Sequence, residues 1–168
     1  CQRCPRGAAP RITGGGHYGA RFMFVIGTPS DEELRIGQPL MAQPERELFH
    51  QILKAISLSR LDVYITSLFK CGAAFPTSSE WSECQSHFFE ELELVRPELI
   101  VTLGYLPSVI LLGESPSPRL GVWGEYQGIP VMPTMHPNES LEGQTGTKSA
   151  AWRHLREFMR RAGLTPRK

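Results

Sequence analysis

A histidine at the end of a short apolar run is the first residue whose setting indicates chemistry. Residues 133–137 read PTMHP, so His136 lies between Pro133 and Pro137, directly after the run GIPVM. Proline removes a backbone donor and fixes φ, so we expect the imidazole to be held in a stiff loop at a strand end. Such a ring can donate a hydrogen bond to a ligand, although ordinary turns occur at the same places.

The chain contains four cysteines with an uneven spacing. Cys1 and Cys4 form a C-x-x-C motif followed by Pro5, whereas Cys71 and Cys84 stand much farther along the chain. In a chain of intracellular character this set argues against disulfides and favours a metal site. Zinc usually takes two tight C-x-x-C pairs, and the wide second pair with the Cys-Pro flank favours a [4Fe–4S] cluster. The spacing by itself leaves zinc open.

The composition is that of one globular domain covering residues 1–168, with 40% hydrophobic and 21% charged residues. A net charge of +1 does not mark a nucleic-acid-binding protein. The positive charge is uneven, however, because the last sixteen residues from Arg153 hold six basic side chains and one acid, Glu157. This segment predicts either a solvated helix face or a surface that meets phosphates.

No apolar run has the roughly 18 residues of a membrane span, and no signal-peptide pattern begins the chain. The sequence therefore predicts a cytoplasmic protein without a membrane segment.

Four apolar runs predict buried strands, at residues 21–27, 62–66, 99–104 and 128–132. Helical patterns separate them: one begins at Pro44, one runs from the Thr77–Glu80 capping box to Val95, and one ends near Leu112. A closing helix covers residues 148–162, and residues 113–128 read as a long loop. The alternation predicts an α/β fold, a single three-layer domain with a central four-stranded parallel sheet flanked by helices.

Unusual residues follow three of these strands, in the segments GTPSDEE, SLFKC and PTMHPNE. Open α/β sheets bind ligands at the carboxyl ends of their strands. We therefore expect His136 to share a binding site with residues of the other two segments.

The order of the motifs resembles the iron–sulfur uracil-DNA glycosylases of family 4 over nearly the whole chain. The matching pieces are C-x-x-C, a strand ending in Gly-x-Pro, GQPL, VYITSLFKC, the distant Cys84, LIVTLG, RLGVW and PTMHP. Each piece is weak alone, but their order and spacing together are specific.

The resemblance implies a uracil-DNA glycosylase-like fold and DNA as the partner. It implies hydrolysis of the N-glycosidic bond of uracil, or a related deaminated base, after the base is flipped out of the strand. It also implies a [4Fe–4S] cluster bound by Cys1, Cys4, Cys71 and Cys84. By the same resemblance, His136 hydrogen-bonds the base and stabilises the anion that develops on it.

Other site residues follow from the matched positions. Ser67 is expected to contact the base edge and Leu40 to cover its face, while Gly27 and Thr28 line the pocket. Asp31 is the preferred residue for orienting the attacking water, with Glu32 and Glu33 as alternatives, although all three acids can instead be solvated or cap a helix. Contacts to DNA are expected from Lys70, Asn138 and Ser140.

Several positions depart from the family pattern. Thr28 stands where an acid is usual, Leu40 replaces an aromatic residue, and Ser67 replaces an asparagine. Glu139 and Glu142 place acids where phosphate is expected to approach. Two interpretations follow: a divergent glycosylase, or a catalytically silent iron–sulfur protein that binds nucleic acid or serves as a protein-bound scaffold subunit. A third interpretation is a zinc protein with four cysteine ligands.

Overall fold

The computed structural model describes residues 10–72, 76–113, 119–141 and 147–165. Within these ranges it contains the following strands and helices: β1 (Gly15–Gly16), β2 (Phe22–Ile26), α1 (Asp31–Ile36), α2 (Glu45–Ala55), β3 (Val63–Ser67), α3 (Ser78–Val95), β4 (Leu99–Leu103), α4 (Tyr105–Leu112), β5 (Gly124–Tyr126), β6 (Ile129–Thr134), α5 (Pro137–Leu141) and α6 (Thr147–Ala162).

The strands form one sheet in the order β1-β3-β2-β4-β6-β5. The four central strands are parallel, as the sequence predicts, and each of the predicted apolar runs forms one of them. The short strands β1 and β5 pair antiparallel at the two edges. The expectation of a continuous loop over residues 113–128 was therefore wrong at β5, which pairs with β6 through a tight turn.

Helices cover both faces of the sheet, which confirms the three-layer architecture. On one face, Phe22 and Phe24 pack edge-on against Phe158 of α6 and Phe49 of α2, with ring centroids 5.1 and 5.2 Å apart. On the other face Met23 and the alternate residues of the other strands pack against α3 and α4. Because side chains alternate across a strand, a buried parallel strand must be apolar throughout.

The predicted helices are present with nearly the expected limits. The capping box of Thr77 and Glu80 begins α3, and α3 ends at Val95. The structure adds two short helices, α1 and α5, in the loops that follow β2 and β6. Both begin at the rim of the sheet where the sequence places candidate site residues.

No helix in the part of the chain that the structure describes is long and apolar enough to cross a membrane.

Candidate functional site at the carboxyl rim of the sheet

The carboxyl ends of the parallel strands form one rim, and most of the predicted site residues lie along it. Gly27 follows β2 directly, Ser67 is the last residue of β3, and His136 comes two residues after β6. Strands β2 and β4 separate β3 from β6. With neighbouring strands about 4.8 Å apart, the ends of β3 and β6 lie roughly 14 Å from each other.

His136 is fixed by its own backbone and by the first turn of α5. Its N–H donates to Oε1 of Glu139 at 3.0 Å, and its carbonyl accepts from the N–H of Glu139 at 3.1 Å. The ring nitrogen Nδ1 accepts a hydrogen bond from the N–H of Asn138 at 3.3 Å. Because Nδ1 is the acceptor, the neutral ring carries its proton on Nε2.

The surroundings of His136 favour the neutral imidazole. Burial lowers its pKa below the ordinary value, while the carboxylates of Glu33, Glu139 and Glu45 act in the opposite direction. The burial effect is the larger one because few water molecules remain to solvate an imidazolium. The ring therefore presents an uncharged N–H donor at neutral pH.

A glycine lies beside this loop. Gly104, between β4 and α4, has φ = 96°, a conformation that side-chain-bearing residues rarely adopt. A Cβ at this position would lie 3.5 Å from Cβ of His136 and 3.7 Å from Oε1 of Glu139. Both distances are ordinary contacts, so the cost of a side chain at Gly104 would come from the strained backbone at this positive φ.

Glu33 is the buried carboxylate of this region. Oε2 of Glu33 accepts from the N–H of Ser30 at 2.7 Å and from its hydroxyl at 2.9 Å, which closes a capping box at the start of α1. Oε1 accepts from the N–H of Leu40. Leu40 is buried and has φ = 54°, so this bond holds the residue in a left-handed conformation. Glu33 thus fixes the loop that carries Leu40.

The other residues after β2 differ in how far they are buried. Gly27 is buried, Thr28 is half-buried and Asp31 is exposed at the first position of α1. A Cβ on Gly27 would come within 2.8 Å of the side chain of Leu106, so the strand end packs closely on α4. Of the acids in this segment, Glu33 is the one that the structure buries and Asp31 is open to solvent. The role expected for Asp31 stays a prediction.

Ser67 is fully buried at the end of β3. Its hydroxyl oxygen makes no hydrogen bond with any residue that the structure describes. Buried polar groups are nearly always paired, and a buried hydroxyl without a partner marks a position where a ligand or water can supply one. The contact to the base edge that the resemblance implies for Ser67 stays a prediction.

Lys70 lies in the interior, and this differs from the exposed position that phosphate binding requires. Its Nζ donates to Oε2 of Glu91 at 2.7 Å, to the carbonyl of Ser67 at 2.8 Å and to Oγ1 of Thr66 at 2.7 Å. The side chain is 8% exposed. All three ammonium protons are engaged, so no donor is left for DNA. The burial of Lys70 was not predicted from the sequence because its partner, Glu91, lies on α3 and is distant along the chain.

The two remaining DNA-contact candidates are on α5. Asn138 is half-buried, and its Oδ1 is buried without a hydrogen-bond partner among the described residues. Its backbone N–H orients His136, which is a role that the sequence did not predict. Ser140 belongs to α5, but its side chain lies outside the described part of the structure.

Two of the four cysteines can be placed. Cys71 follows β3 and Cys84 lies on α3; both are buried, and both line one cavity of about 480 Å³. Cys1 and Cys4 lie outside the described residues. Within the described ranges there is no group of three or more side chains that could hold a metal ion.

The donors that can be placed fit a thiolate-bound cluster. The cavity beside Cys71 and Cys84 is also lined by residues 11–14, the segment that leads back towards Cys4. Ile12 of this segment donates its N–H to the carbonyl of Lys70 at 2.8 Å, one residue from Cys71. Eight residues can span about 26 Å, so Cys4 is within reach of the same cavity.

Sequence reasoning left open whether Glu33 supplies a carboxylate for water, is solvated or caps a helix, and in the structure it caps α1 in a capping box with Ser30. Sequence reasoning missed the hydrogen bond that the N–H of Asn138 donates to His136. The donor from Asn138 is a backbone group, and no side-chain pattern announces it.

Comparisons with known proteins agree with these observations. The sequence model of the family described as "Uracil DNA glycosylase superfamily" matches residues 13–159. The "Type-4 uracil-DNA glycosylase" of Saccharolobus solfataricus is 29% identical over 157 residues, which cover 84% of this chain and 72% of that protein. The protein of the same name from Thermotoga maritima is 27% identical over 160 residues, covering 86% and 80%. A third, from Archaeoglobus fulgidus, is 32% identical over 109 residues, covering 62% and 54%.

Proposed function

The chain belongs to the uracil DNA glycosylase superfamily, and from this premise we propose that it hydrolyses the N-glycosidic bond of uracil, or of a related deaminated base, in DNA. The relatives from Saccharolobus solfataricus and Thermotoga maritima are named Type-4 uracil-DNA glycosylases. The observation that carries the proposal is the setting of His136, a half-buried imidazole at the sheet rim whose Nδ1 accepts from the N–H of Asn138 and whose pKa is lowered by burial.

The reaction that this rim supports can be written with its atoms balanced. The bond between C1′ of the sugar and N1 of the base breaks, and the electron pair leaves with the base. The oxygen of a water molecule bonds to C1′, and one proton of that water ends on the base. The products are the free base and an abasic sugar.

We assign to His136 the stabilisation of the departing base. Negative charge develops on O2 of uracil as the bond breaks, and a fixed N–H donor aimed at that oxygen lowers the barrier. The donor stays neutral because Nδ1 accepts from the N–H of Asn138 and cannot be protonated without losing that bond.

We assign the rest of the pocket to Ser67, Leu40 and the backbone after β2. The hydroxyl of Ser67 has hydrogen-bonding capacity left for the base edge. Leu40, whose N–H donates to Glu33, would cover one face of the base, with Gly27 and Thr28 forming the adjoining wall. Asp31 is exposed and can orient water at the mouth of the site.

We propose that DNA phosphates meet α6 rather than Lys70. Arg153, Arg156 and Arg160 are exposed on this helix. Helix α6 packs against β6, the strand that leads to His136. In this contact, Nδ1 of His154 lies 3.1 Å from Oγ1 of Thr134, at the rim. The middle of the helix, at His154, therefore lies near the carboxyl end of β6, and Arg153 and Arg156 are close to it along the helix.

We also propose a [4Fe–4S] cluster on Cys1, Cys4, Cys71 and Cys84. When bound, the cluster would supply a structural link between these segments rather than a redox step in base excision. Iron and sulfide analysis of anaerobically purified protein tests this proposal. Stoichiometric zinc without iron would show that the four cysteines bind zinc instead of a cluster. A cytoplasmic location fits both the DNA substrate and the reduced thiols.

The test of function is cleavage of a uracil-containing oligonucleotide, with abasic sites revealed by alkali. We expect wild-type protein to produce them and His136→Ala to lose about 10²- to 10³-fold in rate. His50→Ala, which changes an exposed histidine away from the rim, is the matched control and should match wild type.

One observation favours a second candidate, a catalytically silent protein that binds nucleic acid as a scaffold or as part of a protein assembly. Position 28 carries threonine instead of an acid, and the buried Glu33 already accepts three hydrogen bonds. If folded, iron-containing protein retards the oligonucleotide in gel shifts but cleaves neither uracil nor deaminated purines, this second function replaces the first.

A further inference from the structure

A buried ion pair lies beside the two placed cysteines. Lys70 and Glu91 are joined at 2.7 Å, with side-chain exposures of 8% and 11%. Glu91 also accepts from the hydroxyl of Thr66 and, through Oε1, from the N–H of Gly14 at 2.8 Å. Burial lowers the pKa of Lys70, and Glu91 acts to raise it again. Every strong donor in this network is thus engaged.

The pair connects the same chain segments that carry the proposed cluster ligands. Lys70 immediately precedes Cys71, and Glu91 follows Cys84 by seven positions on α3. Seven positions are two helical turns, so Cys84 and Glu91 lie on one face of the helix. The residues of the pair and both cysteines line the same cavity.

The third segment is the one that leads to Cys1 and Cys4. Ile12 donates its N–H to the carbonyl of Lys70, and Gly14 donates its N–H to Glu91. The ion pair therefore anchors all three approaches to the cavity, independently of any metal.

Stability alone does not explain why a buried ion pair is present at this position. Taking two charges out of water costs about as much as their attraction returns, and apolar replacements of both partners are often neutral or stabilising. Residues that orient metal ligands behave differently, because losing them typically lowers metal affinity about 10- to 100-fold.

We propose that Lys70 and Glu91 are positioning residues that hold the cysteine-bearing segments in the geometry that retains the cluster. This inference rests on the proposed cluster. It concerns how long the cluster is kept, and the pair takes no part in the hydrolysis.

The experiment compares loss of the visible absorbance of the cluster in excess chelator, with iron content measured in parallel. The double variant Lys70→Met/Glu91→Leu leaves the N–H of Gly14 without its acceptor, so the apo-protein should melt somewhat below wild type, and it should lose its cluster at least about tenfold faster. Arg21→Met/Glu98→Leu removes an exposed ion pair in the same way and should lose the cluster at the wild-type rate. Cluster loss at the wild-type rate in the first variant would overturn the proposal.

A second variant covers the case in which the double variant does not fold. Glu91→Gln keeps the size of the side chain and an acceptor for Gly14 but removes the charge. We expect cluster loss faster than wild type but slower than in the double variant, and no change would again overturn the proposal. If wild-type protein contains no iron, the cluster proposal itself has failed, which is a different result from equal rates of loss.

Discussion

The backbone N–H of Asn138 donates a hydrogen bond to Nδ1 of His136 at 3.3 Å. This contact determines which ring nitrogen carries the proton in the neutral imidazole: Nδ1 is the acceptor, so the proton is on Nε2. Protonating Nδ1 would set two donors against each other, so the imidazolium form cannot keep the present geometry. The contact therefore links the protonation state of the ring to its position.

A first prediction concerns pH. Because burial lowers the pKa of His136 below its ordinary value of 6.5, the neutral ring persists as pH falls to that value. We expect the rate of base excision to be flat from neutral pH to about 6.5 and to fall only at lower pH. A single-turnover pH profile measures this, and a half-maximal rate above 6.5 would contradict it.

The same shift predicts a dependence of stability on pH. The unfolded chain binds a proton at His136 before the native protein does, so the free energy of unfolding decreases as pH falls below 6.5. Burial also lowers the pKa of His154 and acts in the same window. Urea unfolding of His136→Gln, which cannot titrate, should show a shallower decrease, and identical slopes would refute the assignment.

A second prediction concerns the buried hydroxyl at the end of β3. Ser67→Ala removes an oxygen that has no partner among the described residues, so the free energy of unfolding should not decrease. The rate on uracil should fall, because the base edge loses a hydrogen-bonding group. Ser108→Ala is the matched control: this buried serine bonds the carbonyl of Gly104 and the hydroxyl of Thr102, both at 2.8 Å. It should lose about 1–3 kcal/mol of stability.

If Ser67→Ala were destabilised as much as Ser108→Ala, the Ser67 hydroxyl would have a partner within the fold. The assignment of Ser67 to base binding would then lose its support.

A third prediction separates the three acids of α1. Glu33→Gln replaces one acceptor oxygen by an amide that faces the N–H of Leu40 or Ser30, and should cost about 1.5–3 kcal/mol of stability. Activity should fall with it, because Leu40 loses its support. Glu32→Gln changes an exposed acid that pairs only with Arg35 and should alter stability by less than about 1 kcal/mol.

Asp31→Asn completes this series. A loss of activity with unchanged stability would support Asp31 as the residue that orients water. An unchanged rate would remove it from the mechanism.

A fourth prediction is a gain of activity. Thr28 is half-buried at the end of β2, where the resemblance to family 4 glycosylases implies an acid. Thr28→Glu should raise the rate of hydrolysis about 10-fold or more if a carboxylate for water activation is what this site lacks. Thr28→Gln has the same shape without the charge and should not. Equal rates for the two variants would show that the missing acid does not limit the reaction.

The strands and the longer helices could be read from the sequence because their signals are local. Residues 22–26 are apolar at every position, which a strand buried on both faces requires. The limits of α3 follow from the Thr77 cap and from Arg96, which ends the helix in a left-handed conformation before Pro97. Each signal lies within a few residues of the element that it predicts.

The missed elements lack such signals. Strand β1 is Gly15–Gly16, so it has no side chains to show a pattern, and β5 has three residues in a segment rich in turn-forming types. The burial of Lys70 depends on Glu91, which is distant in sequence, so position beside Cys71 alone suggested an exposed ammonium. Contacts between distant residues are the part of the site that one sequence does not reveal.

The bond from Gly14 to Glu91 also has a consequence for the order of assembly. Its partners lie 77 positions apart, so the amino-terminal segment leaves the ribosome well before the helix that anchors it. At about 5–20 residues per second, that segment waits roughly four seconds or longer for its partner. We expect the segment that holds Gly14 to dock only after α3 has formed. Pulsed hydrogen exchange during refolding tests this, with protection of Gly14 arriving no earlier than that of α3.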